Sequence, residues 1–399
     1  MKARHFFLVT VMFSTASLTV AMQAKMESSP ASDSAATIQE ATKLRTEHRE
    51  EEAAALLAGY LAKYPQDADA LVLLARIRSD DGDSSEAKEL LDRAMRSSPD
   101  SIPANTMLGD LLLAEHRDPE AMDRFETILA IDLRNKEARS GELQAVVELA
   151  ISARAKQRPD LALVALEHAR SKLPDDPKLL LDLGLQANEL GRLPEALDAL
   201  QSARKLRPED PDILYALARV ETDEQHLPVA EQELRAYLVM KPDDATAHYG
   251  LGHVLAISQR PDEARIEFER SIQLQPVQTE SYYQLGKIEL DGQHDAQAET
   301  FFRKTLDRDP THGGALTGMG ILCFRRKQYE EAEQFLAKAE KTAPEYQPAH
   351  YYRGLSLAHL RRKDEADAEL RISTELDRKQ QGPPGAPAAA TQNSKTSHP

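Results

Sequence analysis

Large aliphatic residues and small residues return at fixed places along this chain, in a frame that repeats every 34 residues from Ser34 to about residue 380. Prolines mark the frame. Pro174, Pro208, Pro242, Pro276, Pro310 and Pro344 stand 34 residues apart, and Pro65 and Pro99 take the same step. With each such proline set at position 32, ten units begin at Ser34, Ala68, Ile102, Leu143, Pro177, Pro211, Ala245, Thr279, Gly313 and Gln347. Position 20 is Ala in all ten, from Ala53 to Ala366. Position 8 is Gly or Ala, from Ala41 to Gly354, and position 24 is Leu or Phe, including Leu91, Phe125, Phe268, Phe302 and Leu370. Position 7 is Leu or Met in the eight inner units, from Leu74 to Met319.

These columns predict two helices per unit, over positions 1–14 and 15–28, joined by a tight turn. Small residues at 8 and 20 let the helices approach, while 7 and 24 fill the space between them. Proline at 32 cannot continue a helix interior and sets the restart. Gly82 and Gly191, at position 15, suit the end of the first helix. One such hairpin cannot bury its apolar faces alone, so neighbours must stack. At the ends, position 7 turns polar, to Glu40 in the first unit and Arg353 in the last, as expected of water-facing caps. One step is 41 residues instead of 34, which makes Lys136–Glu142 an insertion and leaves Leu133 where proline belongs. Seven residues is close to two helical turns, so the insertion predicts one long helix over Glu137–Lys156. It also suggests a hinge between units 1–3 (34–135) and units 4–10 (143–380).

The columns resemble the tetratricopeptide repeat family, with its large residue at 4, Leu at 7, small residue at 8, Ala at 20, Phe or Leu at 24 and Pro at 32. The match covers residues 34 to about 380. Position 4 departs from the family pattern in never being Trp, and is often Leu (Leu71, Leu180, Leu214, Leu316); position 11 departs as well. The resemblance implies an all-α fold, an α-solenoid winding as a right-handed superhelix, and a scaffold that holds a protein or an extended peptide. In that family positions 2, 5, 6, 9, 12 and 13 tend to face a concave groove. Position 5 here reads Tyr215, Tyr249 and Tyr283, then Thr317 and Tyr351, and position 9 reads Arg219, His253 and Lys287 in units six to eight. The resemblance therefore implies a partner-binding surface of Tyr215, Arg219, Tyr249, His253, Tyr283 and Lys287. Tyrosine offers flat contact area at low entropic cost, and Arg and Lys can pair with a carboxylate. Some members grip a peptide's terminal carboxylate with Lys at 5 and Asn at 9. No unit here has either residue at those places.

The net charge of −16 argues against nucleic-acid binding and against adhesion to an anionic membrane surface. Lys2, Arg4 and His5, then the apolar run Phe6–Val20 and small residues at Thr19, Ala21 and Ala24, make a secretory signal peptide over 1–24. The expected product is exported, periplasmic or secreted, with an uncleaved N-terminal anchor as the alternative, and no other segment reads as a membrane span. A polar linker at 25–33 and a disordered tail at 381–399 flank the repeats. Export points to a scaffold in a bacterial cell envelope. The alternative is an accessory subunit of an envelope polysaccharide synthesis or export machine, or of outer-membrane assembly.

No catalytic constellation stands out, and the repeats leave no room for a catalytic domain, so no enzyme activity and no cofactor are expected. No phosphate-binding glycine loop, zinc helix or nucleophile elbow is present. His248 and His253 are five residues apart, which does not place both on one helix face, and no metal is expected there. The single cysteine, Cys323, falls at position 11 of unit nine and reads as a buried core thiol.

Overall fold

The computed structural model describes residues 30–381. Among them are twenty α-helices and no strand, the all-α fold that the columns predict. The expected signal peptide, and the tail beyond Gln381, lie outside the described residues. No helix among the described residues is long and apolar enough to cross a membrane.

The described residues form two compact units, the first ending at Ala155 and the second beginning at Lys156. The first holds α1 (Pro30–Thr46), α2 (Glu50–Leu61), α3 (Ala68–Asp80), α4 (Ser84–Ser97), α5 (Ile102–Ala114), α6 (Asp118–Ile131) and α7 (Lys136–Ala155). The second begins with α8 (Pro159–Lys172), α9 (Pro177–Glu189), α10 (Leu193–Leu206), α11 (Pro211–Asp223), α12 (Leu227–Met240), α13 (Ala245–Ile257) and α14 (Pro261–Leu274). It ends with α15 (Thr279–Asp291), α16 (Asp295–Leu306), α17 (Gly313–Arg325), α18 (Tyr329–Thr342), α19 (Gln347–His359) and α20 (Lys363–Gln381). Within each unit every helix packs on its neighbours in the chain, and first helices of successive hairpins also touch, as α3 on α5 and α11 on α13.

The repeat frame fits with one shift. First helices run over positions 1–13 and most second helices over 17–30, not 15–28. Three residues are taken by the turn, and the backbone says why. Position 15 has positive φ in all ten hairpins: Gly82 and Gly191, but also His48, His116, Gln157, Gln225, Gln259, Gln293, Lys327 and Arg361. Its left-handed backbone lets the next amide reach back to a carbonyl five residues earlier. Arg260 N–H donates to Leu255 O at 3.0 Å, and His226 N–H to Glu221 O at 2.7 Å. This closes the first helix and aims the chain back along it. Several of the other helix starts are marked by capping side chains, such as Asp244 accepting from the Thr246 and Ala247 amides.

Packing explains the small-residue columns. A Cβ on Gly109 would lie 2.6 Å from the Phe125 ring, one on Gly252 2.8 Å from Phe268, and one on Gly286 2.7 Å from Phe302. Position 8 is thus glycine wherever position 24 is phenylalanine, because the ring lies flat on that helix. These rings are fully buried, as is Ala at position 20 throughout. Removing one such ring costs about 3–5 kcal/mol.

Three local features of the chain have simple causes. The expected linker becomes helix at Pro30, as the first turn of α1. Lys136–Glu142 forms the start of α7, whose twenty residues match the predicted long helix to within one residue at each end. The last unit has Arg378 where proline would stop it, and α20 runs on to Gln381. The two expected polar caps behave differently. Glu40 is exposed, beside Lys43 at 3.7 Å. Arg353 does not face water: its side chain is 20% exposed and engages Glu333, Glu340 and Glu369.

Candidate functional site

Three successive first helices carry the six residues singled out by the repeat frame: Tyr215 and Arg219 on α11, Tyr249 and His253 on α13, and Tyr283 and Lys287 on α15. Spacing of four puts each pair on one helix face, one turn apart. All six lie in the second compact unit. Arg219 and Lys287 are exposed, and the three tyrosines and His253 are half-buried.

Each tyrosine has one side set into the core. The Tyr215 ring centre is 5.2 Å from that of Tyr237, Tyr249 is 5.8 Å from Phe268, and Tyr283 is 6.3 Å from Phe302 and 4.6 Å from His312. Gly314 makes room for the last, since a Cβ there would lie 2.6 Å from the Tyr283 ring. Burial raises the hydroxyl pKa of all three, so each stays a neutral phenol. The Tyr249 hydroxyl meets the Gln284 side chain, and that of Tyr283 meets Tyr346.

The row at position 9 is less basic than its composition suggests. His253 stacks on Tyr249 with ring centres 6.2 Å apart and planes 14° from parallel. Burial pushes its pKa below the ordinary value of 6.5, against the pull of Glu280 and Asp223, and Lys287 pushes the same way as burial. At neutral pH the row is therefore two full cations flanking a neutral imidazole. Glu280 also anchors His312. The Ala315 amide donates to His312 Nδ1 at 3.1 Å, so Nε2 carries the proton and donates to Glu280 at 3.2 Å. Glu280, Gln284 and His312 complete a surface that the six candidates only outline. Glu280 and Gln284 occupy positions 2 and 6 of unit eight, so the frame could have found them. His312 sits at position 34, and only the fold brings it to Tyr283.

The remaining candidates separate. His248 turns away from His253, toward Glu267 at 2.6 Å and the Pro242 carbonyl at 3.1 Å. Cys323 is 6% exposed and burial raises its thiol pKa, so it is a packed thiol and no thiolate. Metal-ligating groups gather instead on α18, α19 and α20, at Glu340, His350 and Glu369.

The surface on α11, α13 and α15 thus offers flat aromatic faces beside cations and carboxylates, on rigid helices. That is the equipment of a protein-interaction scaffold. A solved structure agrees with the fold, and others are similar over part of the chain. A tetratricopeptide repeat protein from Parabacteroides merdae is 18% identical, with a TM-score of 0.51, over 60% of this chain and 95% of that one. Pseudomonas aeruginosa pilF is 22% identical, with a TM-score of 0.45, over 50% and 91%. YrrB, described as a tetratricopeptide repeat protein with an unusual peptide-binding site, is 21% identical, with a TM-score of 0.39, over 46% and 95%. No curated protein matches the chain in sequence. Models of the tetratricopeptide repeat match residues 38–102, 78–145, 147–211, 215–278, 279–312 and 296–360. With nearly every hairpin so matched, the chain belongs to the tetratricopeptide repeat family.

Proposed function

We propose that this chain is an exported scaffold of the bacterial cell envelope that takes an extended segment of a partner protein along α11, α13 and α15, and that it binds without catalysing a reaction. The observation that carries this reading is the alternation on that surface. Tyr215, Tyr249 and Tyr283 present rings already held on one side by the core, so little entropy is lost when a partner covers the other. Arg219 and Lys287 stand exposed beside them, and each can meet a carboxylate on the partner. The partner segment is therefore an extended peptide with acidic and apolar side chains. Export rests on the basic start at Lys2 and Arg4 and the apolar run Phe6–Val20.

The test uses the two exposed cations, because truncating Tyr249 would also open the core beside Phe268. A peptide library displayed against the full chain yields binders, and Arg219→Ala with Lys287→Ala weakens them at least 10-fold while thermal unfolding stays unchanged. Equal affinity in that double variant would remove the proposed surface. Fractionation with N-terminal sequencing of the mature chain tests export.

A further inference from the structure

The last hairpin departs from the others in its interior. Glu333, Glu340, His350, Arg353 and Glu369 meet where α18, α19 and α20 pack. His350, only 6% exposed, is held from behind by the Pro344 carbonyl, 2.9 Å from Nε2. A carbonyl only accepts, so Nε2 carries a proton and donates it. Nδ1 then faces two carboxylate oxygens, Glu369 Oε2 at 2.7 Å and Glu340 Oε1 at 3.3 Å. One hydrogen cannot serve both. Glu369 accepts it, and Glu340 Oε1 is buried with no hydrogen bond. A buried oxygen left in this way calls for a partner.

Arg353 holds the outer oxygens of the same two carboxylates. Its Nη1 lies 2.5 Å from Glu340 Oε2 and 2.8 Å from Glu369 Oε1, and its Nη2 lies 3.0 Å from Glu333. Both inner oxygens are thereby turned toward Nδ1, and the three donor atoms lie within 4.8 Å of one another. Around a tetrahedral ion with bonds of about 2.0–2.2 Å, ligand atoms stand roughly 3.3–3.6 Å apart. The 3.3 Å from Nδ1 to Glu340 already matches that, and the 2.7 Å hydrogen bond to Glu369 has only to open as its proton leaves. A backbone carbonyl on the far nitrogen is the usual support of a ligating imidazole. Charge agrees as well. Glu333, Glu340 and Glu369 against Arg353 and the doubly protonated His350 leave one negative charge in excess, which becomes two once Nδ1 gives up its proton, and Arg362 comes only within 3.7 Å of Glu333, from an exposed position.

We propose that Glu340, His350 and Glu369 bind one divalent first-row transition ion, such as zinc, which ties the C-terminal hairpin to α18. One imidazole nitrogen and two carboxylate oxygens suit zinc and its neighbours better than calcium or magnesium. Binding sends the Nδ1 proton to solvent. The molecule carries its own control. On α13, His248 has the same carbonyl behind it and the same partner in Glu267, but Leu238 stands where Glu340 would be.

The experiment titrates the full chain, stripped by chelator, with zinc by calorimetry, with calcium and magnesium in parallel. One equivalent of zinc is taken up, at least 10-fold more tightly than either alkaline-earth ion. Glu340→Gln and His350→Gln each weaken zinc binding at least 10-fold, and His248→Gln matches the parent. Far-ultraviolet dichroism confirms that each variant is helical; if His350→Gln does not fold, Glu340→Gln decides. Absence of saturable zinc uptake by the parent, or uptake unchanged in Glu340→Gln, overturns the proposal and leaves the cluster a network of ion pairs.

Discussion

The hairpins α13–α14 and α19–α20 start from the same plan and end with different interiors. Each has histidine at position 4 and glutamate at position 23, and the pair closes in the same way, 2.6 Å for His248 with Glu267 and 2.7 Å for His350 with Glu369. Around the first pair the frame keeps its aliphatic residues. Leu251 at position 7 is buried in a cluster with Leu234, Leu255 and Phe268, and Leu238 packs against it. Around the second, the same two places hold Arg353 and Glu340. One pair therefore stands at the edge of an apolar core, while the other is built into a charged one. Two substitutions in a repeat separate a packing hairpin from one able to hold a ligand, because the surrounding columns already supply the geometry.

The largest expected effect breaks the charged interior. Arg353→Leu leaves three half-buried carboxylates without their common partner, and a loss of about 3–5 kcal/mol is expected, as for a broken buried pair. Amide exchange confined to α19 and α20 speeds up accordingly. Adding Glu340→Leu converts the hairpin to the α13–α14 arrangement and returns stability to within about 1 kcal/mol of the parent. If the double variant is no better than the single, the likeness between the two hairpins is superficial.

A smaller effect separates them by packing. Gly252 faces Phe268, which is fully buried and cannot yield, so Gly252→Ala costs about 1–3 kcal/mol in chemical denaturation. Gly354 faces Leu370, which is only half-buried and can turn outward, so Gly354→Ala costs less than about 1 kcal/mol. Equal costs would mean that the terminal hairpin is as tightly packed as the inner one.

The smallest effect is on pH. His253 on α13 has Leu355 as its counterpart on α19, so only the inner hairpin carries a depressed imidazole. Its unfolded form, near 6.5, binds a proton at higher pH than its folded form. The stability it contributes is complete above that value and is lost as pH falls toward the lower folded value. His253→Gln removes this acid-side loss, which exchange rates of α13 against α19 across that window will read out.

Most of the architecture was legible in the sequence. The columns at 7, 8, 20 and 24 gave the hairpins, because each repeat solves one packing problem in the same way. The turn was legible only in part. Only Gly82 and Gly191 advertise a left-handed residue, and the other eight turns put His, Gln, Lys or Arg there. The candidate surface was half legible. Tyr249 and Lys287 follow from the frame, but the neutrality of His253 depends on burial that no spacing encodes. The cluster at Glu340, His350 and Glu369 was not legible, since its members belong to three helices and match no short motif. Arg353 had been the only sign, and as a cap it pointed to water.

The left-handed residue also makes the hairpins interchangeable parts for engineering. All ten such residues are exposed, in tight bends of one shape, and none supplies a core side chain. A tag, a protease site or a guest loop opened at Gln225, Gln259 or Gln293 would leave from the same backbone geometry each time. The chain thus offers equivalent ports, spaced one repeat apart, at which its length or cargo can be changed without redesigning the interior.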